Sequence, residues 1–187
     1  MAQAGIVKER IELKAADGPS MQAYVARPAS GGPYAGLLVF QEAFGVNSHI
    51  RNVTERFAEQ GYVAVAPELF HRTAPPGYEG NYMDFPSVMP HYQAVTNEAA
   101  EADVQATYEW LRSNSQVKTD GISCVGFCMG AVFRFWQTAW FHCERQSRST
   151  EVASLPDCWT ALPSSMGRRC WFGADWTSTL LRSTVRR

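Results

Sequence analysis

The chain has 187 residues, 45% hydrophobic and 19% charged, with a formal net charge of −1. That length and balance predict one globular domain and exclude a collagenous or highly charged disordered chain. They give no reason to expect nucleic acid or an acidic membrane as a partner.

No apolar run approaches the roughly 18–20 residues of a bilayer span. Nor does the start of the chain carry a basic region followed by an apolar core, so the expected compartment is the cytoplasm. Five cysteines without paired or CxxC spacing argue against a disulfide framework and against a zinc site, and no cofactor is expected.

In chain order, Ile6 to Lys14 alternates apolar and polar residues and predicts a strand, with Met21 to Ala26 as its hairpin partner. Gly36 to Phe40 is a continuous apolar run, as in a strand buried on both faces. Ser48 is placed to cap a helix over 49–60, which Gly61 stops. Tyr62 to Ala66 is the next buried strand, ended by Pro67. A loop over 68–90 is rich in Pro, Gly and aromatics, and a helix over 92–113 follows. Gly121 to Val125 then leads into Gly126-Phe127-Cys128-Met129-Gly130. Alternating strands and helices imply a mainly parallel sheet, with sites beyond the carboxyl ends of its strands.

Gly-x-Cys-x-Gly between a strand and a helix has the form of a nucleophile elbow. The flanking glycines relieve crowding at a sharp turn, and the helix N-terminus favours a thiolate and a developing oxyanion. The plainer reading is a cysteine packed in a tight turn. Glu42, after Phe40, stands at the same sheet end, either as a solvated carboxylate or as a partner for the thiol proton. Arg72 is either a surface arginine or a bidentate carboxylate binder. His71 and His91 share its loop and are weak candidates for a base. His49 reads as a surface residue, and Cys124 as an inert core residue.

Four blocks together resemble the dienelactone hydrolase family of α/β-hydrolases, also called carboxymethylenebutenolidases. They are Gln41-Glu42-Ala43-Phe44-Gly45-Val46-Asn47, His49-Ile50-Arg51, the stretch from Gly61 to Phe70, and Gly126 to Gly130. The resemblance covers about residues 5–130. It implies an α/β-hydrolase-like, mainly parallel sheet with helices on both faces and an N-terminal β-hairpin, incomplete at the C-terminus. It implies Cys128 as nucleophile of a Cys-His-Asp triad, and Glu42 as the carboxylate that interacts with the thiol. The backbone N–H groups of Met129 and Ala43 would form the oxyanion hole, and Arg72 would bind the carboxylate of a small lactone or ester substrate. The implied reaction is lactone hydrolysis without a metal. A broader esterase or thioesterase of the same fold, and a non-catalytic module with a structural or redox cysteine, are the alternatives.

The family pattern stops near Gly130. Residues 1–130 hold nine basic and fourteen acidic residues, whereas 131–187 hold eight arginines, no lysine, four acids and five of the six tryptophans. The second glycine expected after the elbow is Ala131. Codons permitted by the printed residues, read two bases along, restore Cys-Met-Gly-Gly. In that frame Asp175-Trp176 must yield Leu and Trp176-Thr177 must yield Asp, within a string like the family's late glycine-aspartate segment. The expectation is a reading-frame shift close to Gly130, which splits the chain into a hydrolase-like part over 1–130 and an atypical, poorly ordered tail over 131–187. The triad aspartate and histidine are then missing from this reading, and Asp157, Asp175 and His142 are not their substitutes. Activity is expected to be impaired.

Overall fold

The computed structural model describes residues 5–126 together with Met129. Strands β1 (Ile6–Lys14) and β2 (Ser20–Pro28) form an antiparallel hairpin, with Ile6 opposite Pro28 and Lys14 opposite Ser20. β3 (Tyr34–Phe40), α1 (Ser48–Glu59), β4 (Tyr62–Pro67), α2 (Phe85–Ala94), α3 (Asn97–Ser113) and β5 (Val117–Gly126) follow. The five strands make one sheet in the order β1-β2-β4-β3-β5. β2 meets β4 antiparallel, while β3 runs parallel to both β4 and β5. The hairpin and the α/β sheet expected from the sequence are both present, the described sheet being mixed, with two antiparallel and two parallel pairings.

The period of two along each strand sorts the core onto two faces. Met21, Val25, Leu38, Phe40, Val63 and Val65 pack on one side with Ala100, Val104 and Leu111 of α3. Tyr24, Leu37, Val39, Ala64 and Ala66 pack on the other with Ile50 and Val53 of α1. Because β3 and β4 are covered on both sides, they read as unbroken apolar runs rather than alternating ones. Full burial of side chains such as Phe40, Leu38 and Ile50 contributes about 1.5–3 kcal/mol each. Among the described residues no helix is long and apolar enough to cross a membrane.

Three local expectations need correction. The cap of α1 is Asn47, whose side chain accepts from the Ile50 N–H, and Ser48 is already the first helical residue. The loop over 68–90 contains the start of α2, capped by Asp84 and entered through Pro86. The helix expected over 92–113 is two helices: α2 ends at Ala94, and Thr96 caps α3 by accepting from the Ala99 N–H. Val95 fits the apolar period of a continuous helix, but its extended backbone and the Thr96 cap break it there.

Candidate active site at the carboxyl end of β3

Phe40, the last residue of β3, pairs with Gly126, the last residue of β5, and Leu38 pairs with Cys124. β3 and β5 therefore end side by side, immediately before Gln41 and at Gly126, at the carboxyl end of the sheet. Cys128 itself lies outside the described residues, two positions from Gly126 and so within about 7 Å of chain reach. Met129 is helical and 5% exposed.

Glu42 is half-buried, and its Oε1 accepts from Asn47 Nδ2 at 3.1 Å and from the Tyr82 hydroxyl. Tyr82 Oη in turn accepts from Asn47 Nδ2 at 2.8 Å. Asn47 Oδ1 takes the Ile50 N–H at 3.1 Å, which fixes the amide orientation: the oxygen caps α1 and both N–H bonds face Glu42 and Tyr82. One side chain thus starts the helix and orients the carboxylate. Partial burial, then the bond to Glu42, pushes the Tyr82 phenol up to about 12, although the residue as a whole is 56% exposed. It remains a donor across the physiological range.

Asn47→Ala removes the cap and one donor to Glu42 together. It is expected to cost about 1–2 kcal/mol, read as a lower urea midpoint with an unchanged slope. Asn47→Asp, which keeps the capping oxygen, should recover part of the stability.

Glycine geometry shapes the turn. Gly45 has φ +80°, and a Cβ there would lie 2.5 Å from the Tyr78 carbonyl oxygen. The segment after β4 is therefore laid directly against Gly45, where Gly80 N–H donates to Phe44 O at 2.9 Å. Arg51 braces the same contact by donating to Val46 O at 2.8 Å and to Glu79 at 2.7 Å. The Phe44 ring sits 4.2 Å from that of Tyr82 and 6.0 Å from that of Phe85, centroid to centroid. Beneath, the fully buried Gln41 accepts the Leu69 N–H at 3.0 Å and so ties the ends of β3 and β4. Ala43, 4% exposed, follows Glu42 in this turn.

Arg72 occupies a different environment. Its Nη1 donates to Asp103 Oδ2 at 2.7 Å and its Nη2 to Asp103 Oδ1 at 2.9 Å. Nε and Nη2 reach Asp17 Oδ2 at 3.2 and 2.7 Å, and Nη1 lies 2.7 Å from His71 Nε2. His71 Nδ1 lies 3.0 Å from the Ser20 carbonyl oxygen, and its Nε2 lies 3.0 Å from Asp103 Oδ1. Asp103 and Asp17 together take four of the five guanidinium hydrogens. Bonding to Asp103, opposed by partial burial, raises Arg72 further above the ordinary guanidinium value. The network joins the β1–β2 turn, the segment after β4 and α3.

The remaining candidates are part of the scaffold. His91 Nδ1 lies 2.9 Å from Thr73 Oγ1, with its ring 4.6 Å from that of Tyr78. His49 is half-buried on α1 rather than fully at the surface. Cys124 is half-buried and packs against the core beside α3. Sequence reading missed Tyr82 and Asn47 as partners of Glu42. Asn47 stood inside a quoted block, whereas nothing local to Tyr82 distinguishes it from its loop neighbours.

The dienelactone hydrolase family model matches residues 21–144. A Synechocystis protein named "Putative carboxymethylenebutenolidase" is 40% identical over 111 residues, covering 57% of this chain and 44% of that one. An Escherichia coli K12 protein of the same name is 36% identical over 115 residues, covering 60% and 41%. The crystal structure of a "Putative Dienelactone Hydrolase" from Klebsiella pneumoniae superposes with a TM-score of 0.63 at 30% identity, over 72% of this chain and 55% of that one. This chain spans less than half the length of those two curated relatives. Because the family model covers 124 of the 187 residues, the chain belongs to the dienelactone hydrolase family.

Proposed function

We propose that this chain carries the nucleophile half of a cysteine hydrolase that cleaves small lactones or carboxylic esters. The observation that supports the reading is the pairing of Phe40 with Gly126, which ends the strands that precede Glu42 and Cys128 side by side. Both bonds held by Glu42 use Oε1, so Oε2 is the oxygen assigned to the thiol proton. The Cys128 sulfur attacks the carbonyl carbon as its proton passes to Glu42. The carbonyl electron pair moves onto an oxygen held by the N–H groups of Met129 and Ala43. Collapse breaks the ester C–O bond, and the leaving oxygen takes the proton from Glu42. Water then hydrolyses the thioester, releasing the acid and restoring the thiol.

A carboxylate on the substrate is assigned to Arg72. Because Asp103 and Asp17 hold four of its hydrogens, this requires exchange of Asp17, the exposed one of its two carboxylate partners.

The tail over 131–187 is proposed to be read out of frame. The family match ends at residue 144, fourteen positions beyond Gly130, and leaves the last 43 residues outside it. Without the triad aspartate and histidine, most of the rate is lost, because triad members act as a unit. The purified chain is expected to hydrolyse dihydrocoumarin or p-nitrophenyl acetate slowly, and Cys128→Ala to abolish that hydrolysis. An undiminished rate in Cys128→Ala overturns the nucleophile, and family-level turnover in the parent chain overturns the impairment. Nucleotide sequence through codons 128–135 tests the frame: an intact frame encoding these same residues rejects it.

A further inference from the structure

The segment that closes over Glu42 is aromatic and exposed, an unusual surface for a mere connection. Tyr82 is 56% exposed, Met83 91% and Phe85 45%. Isolated apolar side chains on a surface need no explanation, but these three lie within four consecutive residues. They are also held in place. Gly80 N–H bonds to Phe44 O, Met83 N–H donates to Asn81 Oδ1 at 2.9 Å, and Asp84 starts α2 directly behind them. Phe44 provides the floor, with its ring in contact with Tyr82 and edge-on to Phe85.

This rim adjoins the reacting centre at one point, the Tyr82 hydroxyl bound to Glu42 Oε1. A substrate whose carbonyl is held beside Glu42 would reach the Phe44–Tyr82–Phe85 cluster through Tyr82, the ring bonded to that carboxylate. The rings present both faces and edges, and such arrangements favour a further ring stacked or edge-on at 4.5–7 Å. A short aliphatic group gains only area there, whereas an aryl group also gains the ring geometry.

We infer that the Phe44, Tyr82, Met83 and Phe85 rim selects esters or lactones bearing an aromatic ring next to the scissile carbonyl. The inference rests on Cys128 as nucleophile, and its test is chosen so that the two fail separately. The rates at which iodoacetamide, iodoacetanilide and iodoacetate alkylate Cys128 are measured by peptide mass spectrometry, each divided by its rate with glutathione. These reagents deliver the same carbon to the sulfur with iodide leaving, and differ only in carrying an amide, an aryl amide or a carboxylate. The normalised anilide rate should exceed the amide rate about fivefold, the advantage expected of one added aromatic contact. Phe85→Ala should bring that ratio to about one, and Phe85→Tyr should keep it. A ratio near one in the parent chain, a ratio unmoved by Phe85→Ala, or a normalised preference for iodoacetate over iodoacetanilide overturns the inference. Absence of ester hydrolysis in the parent chain with the anilide preference intact refutes the proposed reaction and leaves the rim's preference for an aromatic reagent at Cys128 standing.

Discussion

Asp103→Ala should destabilise the described domain by about 3 kcal/mol or more, seen as a large fall in the urea midpoint. Asp103 is 0% exposed and is the partner common to Arg72 and His71. Truncation leaves two guanidinium hydrogens without acceptors in a site where water reaches the arginine poorly. Breaking a buried pair from one side costs far more than the pair contributes, because the remaining charge stays desolvated. The same deletion unties α3 from the segment after β4. Asp17→Ala makes the contrast. Asp17 binds the same guanidinium but its side chain is 41% exposed, so the loss should stay below about 1 kcal/mol. A difference of less than about 1 kcal/mol between the two variants would show that burial does not govern this network.

Gly45→Ala is expected to cost about 2–3 kcal/mol and to disturb the site as well as the fold. The left-handed φ of +80° is strained for any residue with a Cβ, and here the Cβ would also press on backbone, the Tyr78 carbonyl at 2.5 Å. Backbone cannot step aside as a flexible side chain can, so the segment from Tyr78 to Gly80 must lift. Tyr82 then loses its hold on Glu42. The Tyr82 phenol should fall from about 12 towards its ordinary value of 10, visible in the absorbance titration of tyrosinate. A phenol raised in the fold contributes stability that is present below about pH 10 and lost as pH climbs to about 12, so the variant should lack that alkaline loss. Gly18→Ala is the control, with φ +114° and nothing within 4 Å of the added methyl, and should cost only about 1 kcal/mol of strain. Equal costs for the two glycines would remove the close approach as the cause.

Both effects depend on contacts that a sequence reads poorly. Arg72 was placed correctly in its loop, but the sequence does not reveal that its donors are engaged. Asp17 and Asp103 are 55 and 31 residues away along the chain, and neither belongs to a block that suggested a partner. Tyr82 stands 40 residues from Glu42, in a stretch read as loop because Pro86 and Pro90 mask the start of α2. Ser48 and Asn47 are both good caps by residue type. The choice fell to Asn47 because its amide also serves Glu42 and Tyr82, a gain no local rule can weigh.

The sequence by itself determined the two-faced sheet, because unbroken apolar runs at Gly36–Phe40 and Tyr62–Ala66 satisfy a strand only when both faces are covered. It determined the hairpin, through the alternation that is clearest over Ile11–Lys14 and a turn at Gly18, and it determined the family through four blocks in order. Periodicity and turn chemistry are local, and so is the code that carries them. Tertiary structure alone decided that Glu42 is oriented by Asn47 and Tyr82, that Arg72 is bound to Asp103 and Asp17, and that an aromatic rim overlies the carboxylate. Those are pairings between residues distant in the chain. Their energies depend on burial and on which donors remain, and both exist only once the chain has closed on itself.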